Sequence, residues 1–149
     1  MGVGKRAFSV DVLVPGRATG EAFLLEKPLS FWGGYDSVSG KIIDRDHPQA
    51  GESLTGKIMV MSQAKGSSSS SSVLAEAIRN GTGPIGIVLK ERDLIISIGS
   101  IVAAELYNLA IPVVCLSSWS DFNEIGESGM KIRIDADDTG DAPKLYFEV

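Results

Sequence analysis

Histidine and cysteine occur once each in the 149 residues, as His47 and Cys115. A single thiol and a single imidazole cannot by themselves build a zinc site or hold an iron–sulfur cluster. One cysteine also rules out a disulfide framework and fits a reducing, cytoplasmic compartment. Basic clusters are lacking as well: 14 Lys and Arg stand against 19 Asp and Glu, for a net charge of -5. Nucleic acid and anionic membrane surfaces are therefore not the expected partners. No apolar run approaches the length that crosses a bilayer. The opening MGVGKRAFSVDVLVPG has only alternating apolar residues behind its short basic entry, the pattern of a strand and not of a signal peptide.

What is present is the composition of a folded domain, with 44% hydrophobic and 22% charged residues. The length suits a single domain over residues 1–149 with a substantial core. Strands are expected over Phe8–Val14, Ala18–Leu25, Lys41–Ile43, Lys57–Met61, Pro84–Leu89 and Ile111–Leu116, with a terminal hairpin of Lys131–Ile134 and Leu145–Val149. A helix is expected over Val73–Asn80, where Val73, Leu74, Ala77 and Ile78 share a face and Asn80-Gly81 is a stop. A second is expected over Ile98–Leu109, with Ile98, Ile101, Val102, Leu106 and Leu109 inward and Glu105 outward. The order gives an α/β domain, two or three helices on a mixed sheet or partly closed barrel.

Between the strand ending at Met61 and the helix beginning at Val73 stands Lys65-Gly66 followed by six serines, Ser67 to Ser72. Serine tracts are ordinarily flexible linkers. Here, however, the tract sits at the spacing of a strand–loop–helix unit, and capping a helix takes only one serine. Gly66 permits close backbone approach, the helix start attracts anions, and Lys65 adds positive charge. On these grounds the tract reads equally as a linker or as a cradle for a carboxylate or phosphate.

The remaining polar residues have plain readings. Cys115 lies in the apolar run Ile111–Leu116 and reads as a core thiol. Asp36, Asp44 and Asp46 read as turn formers, and His47 before Pro48 as a hydrogen-bonded or solvated loop residue. The acidic turn with Asp135, Asp137, Asp138 and Asp141 lacks calcium-loop spacing. Trp119 falls in a polar connection. Phe31 and Trp32 read either as a pocket or interface pair or as a plug for one end of the barrel, with Gly33-Gly34 keeping the backbone tight.

The segment Ser30-Phe31-Trp32-Gly33-Gly34-Tyr35-Asp36, then Ser39-Gly40-Lys41-Ile42-Ile43-Asp44 with His47-Pro48, then Gly66 and the serines, then Leu74-Ala75, resembles the small-subunit swivelling domain of the aconitase X family. The resemblance runs from about Gly16 to Leu116. It implies a swivelling β/β/α domain docked on a large aconitase X subunit that carries iron or an iron–sulfur cluster, with no cofactor on this chain alone. By the same resemblance Ser67 is the catalytic base, and Lys65, Gly66, Ser68 and Ser69 meet the substrate or hold its loop. Phe31, Trp32, Gly33 and Gly34 then border the pocket or the interface.

Where ordinary aconitases continue this loop with Arg, Glu and His, serines stand here, so a carboxylate clamp is missing and a tricarboxylate substrate is not expected. The resemblance implies dehydration of cis-3-hydroxy-L-proline or of mevalonate 5-phosphate. The expected Ile98–Leu109 helix, the Ile111–Leu116 strand and the long tail favour the first. Two other classes remain to be weighed: a phosphohistidine carrier, whose histidine would have to be His47, and a scaffolding module without a catalytic serine.

Overall fold

A computed structural model describes residues 6–63, 68–137 and 142–147. Seven strands form a closed barrel: β1 (Arg6–Val14), β7 (Val113–Leu116), β6 (Gly86–Leu89), β5 (Ile58–Met61), β2 (Gly16–Leu24), β8 (Lys131–Ala136) and β9 (Lys144–Phe147), with β9 returning to β1. β2, β5, β6 and β7 run parallel, and the other pairings are antiparallel. The α/β class expected above holds, and the barrel is closed rather than partly open. The small hairpin of β3 (Tyr35–Asp36) and β4 (Lys41–Ile42) lies outside the barrel.

The parallel strands are apolar at every position because both faces are covered. In β5, Ile58 and Val60 join one buried cluster with Val88, Val114, Ile132 and Ile134, which fills the barrel. Met59 and Met61, pointing the other way, join Leu74, Ile78, Ile87, Leu89 and Ile96 under the helices. The alternation is the period-2 signature of a strand read from its two sides. Phe122 closes the barrel: it is fully buried, stacked on Phe147 at 4.9 Å and edge-on to Phe8 at 5.7 Å.

Among the described residues are four helical segments: α1 (Phe31–Gly34), α2 (Ser68–Asn80), α3 (Leu94–Tyr107) and α4 (Trp119–Ile125). α2, α3 and α4 depart from expectation as follows. α2 begins inside the serine tract, so Ser68 to Ser72 are helix and not loop. The reason is packing: extending the Leu74–Ile78 face back by one turn lands on Ser70 and Ser71, both buried.

α3 starts four residues earlier than expected because Asp93 caps it, accepting a 2.8 Å bond from the Ile96 amide. Its burial is inverted. Ile96, Ser97, Gly99, Ser100 and Ala103 face inward, whereas Leu94, Ile98, Ile101 and Leu106 are exposed. α2 and α3 cross so closely that a Cβ on Gly99 would lie 2.9 Å from Leu74 Cδ2 and 3.0 Å from the Ser71 carbonyl oxygen. Only a small residue fits at that crossing point, so Leu94, Ile98, Ile101 and Leu106 are turned outward while Ile96, a turn earlier, stays inside.

α4 was not anticipated, and it makes Trp119 part of a helix, its ring 6.1 Å from that of Phe122 one turn further on. The terminal hairpin forms as expected up to Phe147, with Val149 outside the described residues. Across the β2–β8 pairing, Arg17 pairs with Asp135 at 3.1 Å and also with Asp137; Asp138 and Asp141 lie outside the described residues.

Candidate active site

The carboxyl ends of parallel strands are where α/β folds present their loops to ligands. Here the end of β2 leads to the Ser30–Gly34 segment, the end of β5 to the serine tract, the end of β6 to Lys90–Asp93, and the end of β7 to Ser117-Ser118. The first two are tied together by one side chain. Ser70, fully buried on the first turn of α2, accepts a hydrogen bond from the Trp32 amide at 3.2 Å and lies 3.2 Å from the Ser30 hydroxyl.

Ser30 donates its own proton to the Trp32 carbonyl at 3.1 Å. Ser70 must therefore be the donor toward Ser30, and the three groups close a ring around the Trp32 residue. The next serine, Ser71, donates to the Ile95 carbonyl at 2.8 Å and fastens the same turn of α2 to the start of α3.

These bonds sort the site residues. Ser70 and Ser71 are buried and committed, which removes them as bases. Ser68 and Ser69 are exposed at the start of α2, where a helix offers N–H groups without intrahelical partners. Lys65, Gly66 and Ser67 lie outside the described residues; in the chain they directly precede α2.

Phe31 and Trp32, paired on sequence, part company. Phe31 is fully buried and edge-on to Tyr35 at 5.3 Å, so it belongs to the core beneath the helices; it neither lines a pocket nor plugs the barrel. Trp32 is 63% exposed. The turn that follows Trp32 needs Gly33, whose φ of 78° is left-handed. Gly34 is buried against Leu29. The structure thus brings Trp32, Gly33, Ser68 and Ser69 to one end of the domain, and leaves Phe31 and Gly34 behind it.

Sequence reasoning missed Ser30 and Ser70 as partners. The available signal was the helical period, which places Ser70 in line with Leu74.

The other titratable candidates are structural. Asp36 accepts from the Val38 amide at 3.0 Å, and this bond, with help from Ser39, holds its carboxyl below the usual range. Asp44 accepts from the Asp46 amide at 3.0 Å. Both are Asx turns, as expected of loop aspartates. His47 is buried, its Nε2 2.9 Å from the Lys27 carbonyl and its Nδ1 accepting from the Gln49 amide at 3.1 Å. That network fixes the tautomer, with the proton on Nε2, and engages both nitrogens. The Cys115 thiol donates to the Lys90 carbonyl at 3.1 Å, and burial pushes its pKa up.

Among the described residues no group of three or more His, Cys, Asp or Glu could hold a metal ion. With His47 and Cys115 both engaged in structural bonds, the donor set described for this chain does not fit an iron centre. Among the described residues, no helix is long and apolar enough to cross a membrane.

Comparison with known proteins decides the family. The model of the aconitase X swivel domain matches residues 7–140. The chain belongs to the aconitase X swivel-domain family. A cis-3-hydroxy-L-proline dehydratase from Pseudomonas aeruginosa is 43% identical over 109 residues, which cover 73% of this chain and 19% of that protein. The phosphomevalonate dehydratase small subunit of Pyrococcus furiosus is 38% identical over 125 residues, 84% of this chain and 86% of that subunit. The crystal structure of Thermococcus kodakaraensis aconitase X in its holo-form superposes with a TM-score of 0.80 at 30% identity, over 95% of this chain and 98% of the matched one. The aconitase X swivel domain therefore spans about a fifth of the hydroxyproline dehydratases it resembles, and most of the length of the phosphomevalonate dehydratase small subunits.

Proposed function

We propose that this chain is the small subunit of a two-chain aconitase-type hydro-lyase, in which Ser67 is the base and cis-3-hydroxy-L-proline the substrate. The observation that carries the reading is the Ser70 bond to Trp32, which gathers the two sequence motifs of the family at one end of the barrel. The reaction takes a proton from the carbon next to a carboxylate and breaks the C–O bond on the neighbouring carbon, releasing water. Serine is a weak base at its ordinary pKa, so its alkoxide must be favoured by donors and positive charge. The start of α2 and Lys65 supply both in this reading. Ser68 and Ser69, exposed at that helix start, hydrogen-bond the substrate carboxylate.

The iron or iron–sulfur centre that assists the leaving hydroxyl belongs to the large aconitase X subunit. A soluble, cytoplasmic complex of the two chains follows from the same reading.

Mevalonate 5-phosphate is the second substrate to weigh. It is favoured by the lengths: this chain covers 86% of the Pyrococcus furiosus small subunit. The higher identity, 43%, favours the hydroxyproline enzyme. A phosphohistidine carrier is disfavoured because the single imidazole, His47, is buried and bonded through both nitrogens. A scaffolding module predicts that Ser67 can be replaced without loss.

The test is a dehydration assay of this chain mixed with its large subunit, offering each substrate separately to wild type and Ser67→Ala. We expect turnover of cis-3-hydroxy-L-proline, reduced more than about a hundredfold by the substitution with assembly intact. Turnover of mevalonate 5-phosphate alone would reassign the substrate. Full activity of the variant would remove Ser67 as the base.

A further inference from the structure

The outward face of α3 is unusual for a surface helix. Across Leu94–Tyr107 the only charged residue is Glu105. Leu94 is 74% exposed, Leu106 69%, Ile101 43% and Ile98 39%. Leu94, Ile98 and Ile101 follow one another at helical spacing on the side opposite Gly99 and Ala103, with Val102 and Leu106 beside them. The cause is the close crossing with α2, which admits only small residues and so drives the large ones out.

Together these side chains expose on the order of 400 Å² of apolar surface, as large as the biggest patch a typical monomer shows. That is about half of the roughly 800 Å² each partner contributes to a standard interface. The patch does not stop at α3. Ser71 binds the Ile95 carbonyl and the adjacent Ser70 binds the Trp32 amide, so exposed Trp32 and exposed Leu94 flank the same first turn of α2. Exposed apolar side chains thus stand on two sides of that turn, Trp32 on one and the α3 strip that starts with Leu94 on the other.

We propose that this face of α3 is the seat of the large dehydratase subunit. The inference rests on the two-chain reading above and adds to it the surface that mates. A site whose metal-bearing half comes from another chain must be covered by that chain at the carboxyl ends of the parallel strands. The apolar strip begins at that end, with Leu94. The strip's partner is an apolar strip of the large subunit, and the near absence of charge on α3 means that salt should weaken assembly little.

The experiment co-expresses the large subunit from the same source genome with wild-type chain, with Ile98→Glu combined with Ile101→Lys, and with Leu94→Lys alone. Circular dichroism and thermal unfolding establish that each variant is folded; Leu94 is exposed enough that its substitution should leave the fold intact. Affinity between the chains is then measured by calorimetry, beside Ser67→Ala as a variant that should assemble normally.

We expect assembly weakened at least about tenfold by the double substitution, measurably by Leu94→Lys, and not by Ser67→Ala. Folded variants that assemble as tightly as wild type would overturn the proposal. So would variants that instead break a dimer of this chain, since the occupant would then be a second copy. If the wild type fails to meet the large subunit at all, the two-chain reading falls and the seat with it. If it assembles through α3 but turns over neither substrate, only the assigned reaction falls.

Discussion

The Ser70 hydroxyl lies 3.2 Å from the Trp32 amide nitrogen, joining the first turn of α2 to the exposed tryptophan that follows β2. Because Ser30 lies at the same distance and donates to the Trp32 carbonyl, the backbone of Trp32 is held on both its N–H and its C=O. Residues tied this way should act as a unit.

Ser70→Ala leaves the Trp32 amide and the Ser30 hydroxyl without their buried partner, which should cost about 1–3 kcal/mol. In a cycle with Ser30→Ala, the two substitutions should be non-additive by about 0.5–3 kcal/mol. In the proposed two-chain dehydratase, kcat should fall tenfold or more with little change in KM, since the start of α2 is displaced. Ser70→Thr, which keeps the hydroxyl, should recover part of kcat. Additive stabilities, measured by urea unfolding, would show that the ring around Trp32 contributes nothing.

The Tyr35 hydroxyl is the hub of another buried knot, 2.6 Å from the Thr82 carbonyl and 2.9 Å from that of Gly40, while accepting from the Leu54 amide at 3.3 Å. Burial raises its pKa above the ordinary 10.0, opposed in part by the Leu54 bond. The folded protein therefore keeps this proton at pH values where the unfolded chain has lost it. With fewer protons on the unfolded state, stability falls as pH climbs from about 10 toward the raised folded value. Tyr35→Phe should cost about 1–3 kcal/mol at neutral pH. That deficit should narrow in urea titrations at about pH 11, where only the wild type pays for a charge it cannot accommodate. An equal deficit at both pH values would contradict the assigned burial.

How much of this was legible in the sequence depended on whether the pattern was local. The parallel strands were readable because a β-branched run covered on both faces looks the same in every such sheet. The inside of α3 was not. Hydropathy places Ile98 and Ile101 inward, but the approach of α2 to Gly99 is a tertiary fact, and it reverses the face. α4 escaped notice because the stretch around its buried anchor Phe122 is short and mostly polar, with Ser120, Asp121, Asn123 and Glu124. In the candidate site, the family motifs located both segments. Their junction through Ser70 was hidden by a repetitive tract in which every serine looks alike.

That reversal in α3 gives a prediction whose sign opposes helix propensity. Glycine to alanine within a helix ordinarily gains up to about 1 kcal/mol. At Gly99 the added methyl would sit 3.0 Å from the Ser71 carbonyl, a backbone atom that cannot rotate away. Gly99→Ala should therefore destabilise by about 1–3 kcal/mol, read from the unfolding midpoint. A stabilised variant would mean that the helices cross more loosely than described.

His47 supplies the last prediction, which separates a structural imidazole from a chemical one. Its ring joins the Lys27 carbonyl to the Gln49 amide, and Gln49 in turn accepts from the Glu26 amide at 3.0 Å and donates to the Leu24 carbonyl at 2.9 Å. Two side chains thus hold the segment after β2, which leads into Ser30, against the loop after β4. His47→Ala should unfasten that segment at a cost of about 1–3 kcal/mol. In the proposed two-chain dehydratase, activity assayed below the new melting temperature should stay within about fivefold of wild type, because both ring nitrogens are already engaged in structural bonds. Loss of more than about a hundredfold in a folded, assembled His47→Ala protein would instead make the histidine a participant in the chemistry. Appearance of an acid-labile phosphate on the wild type, absent from the variant, would restore the carrier reading.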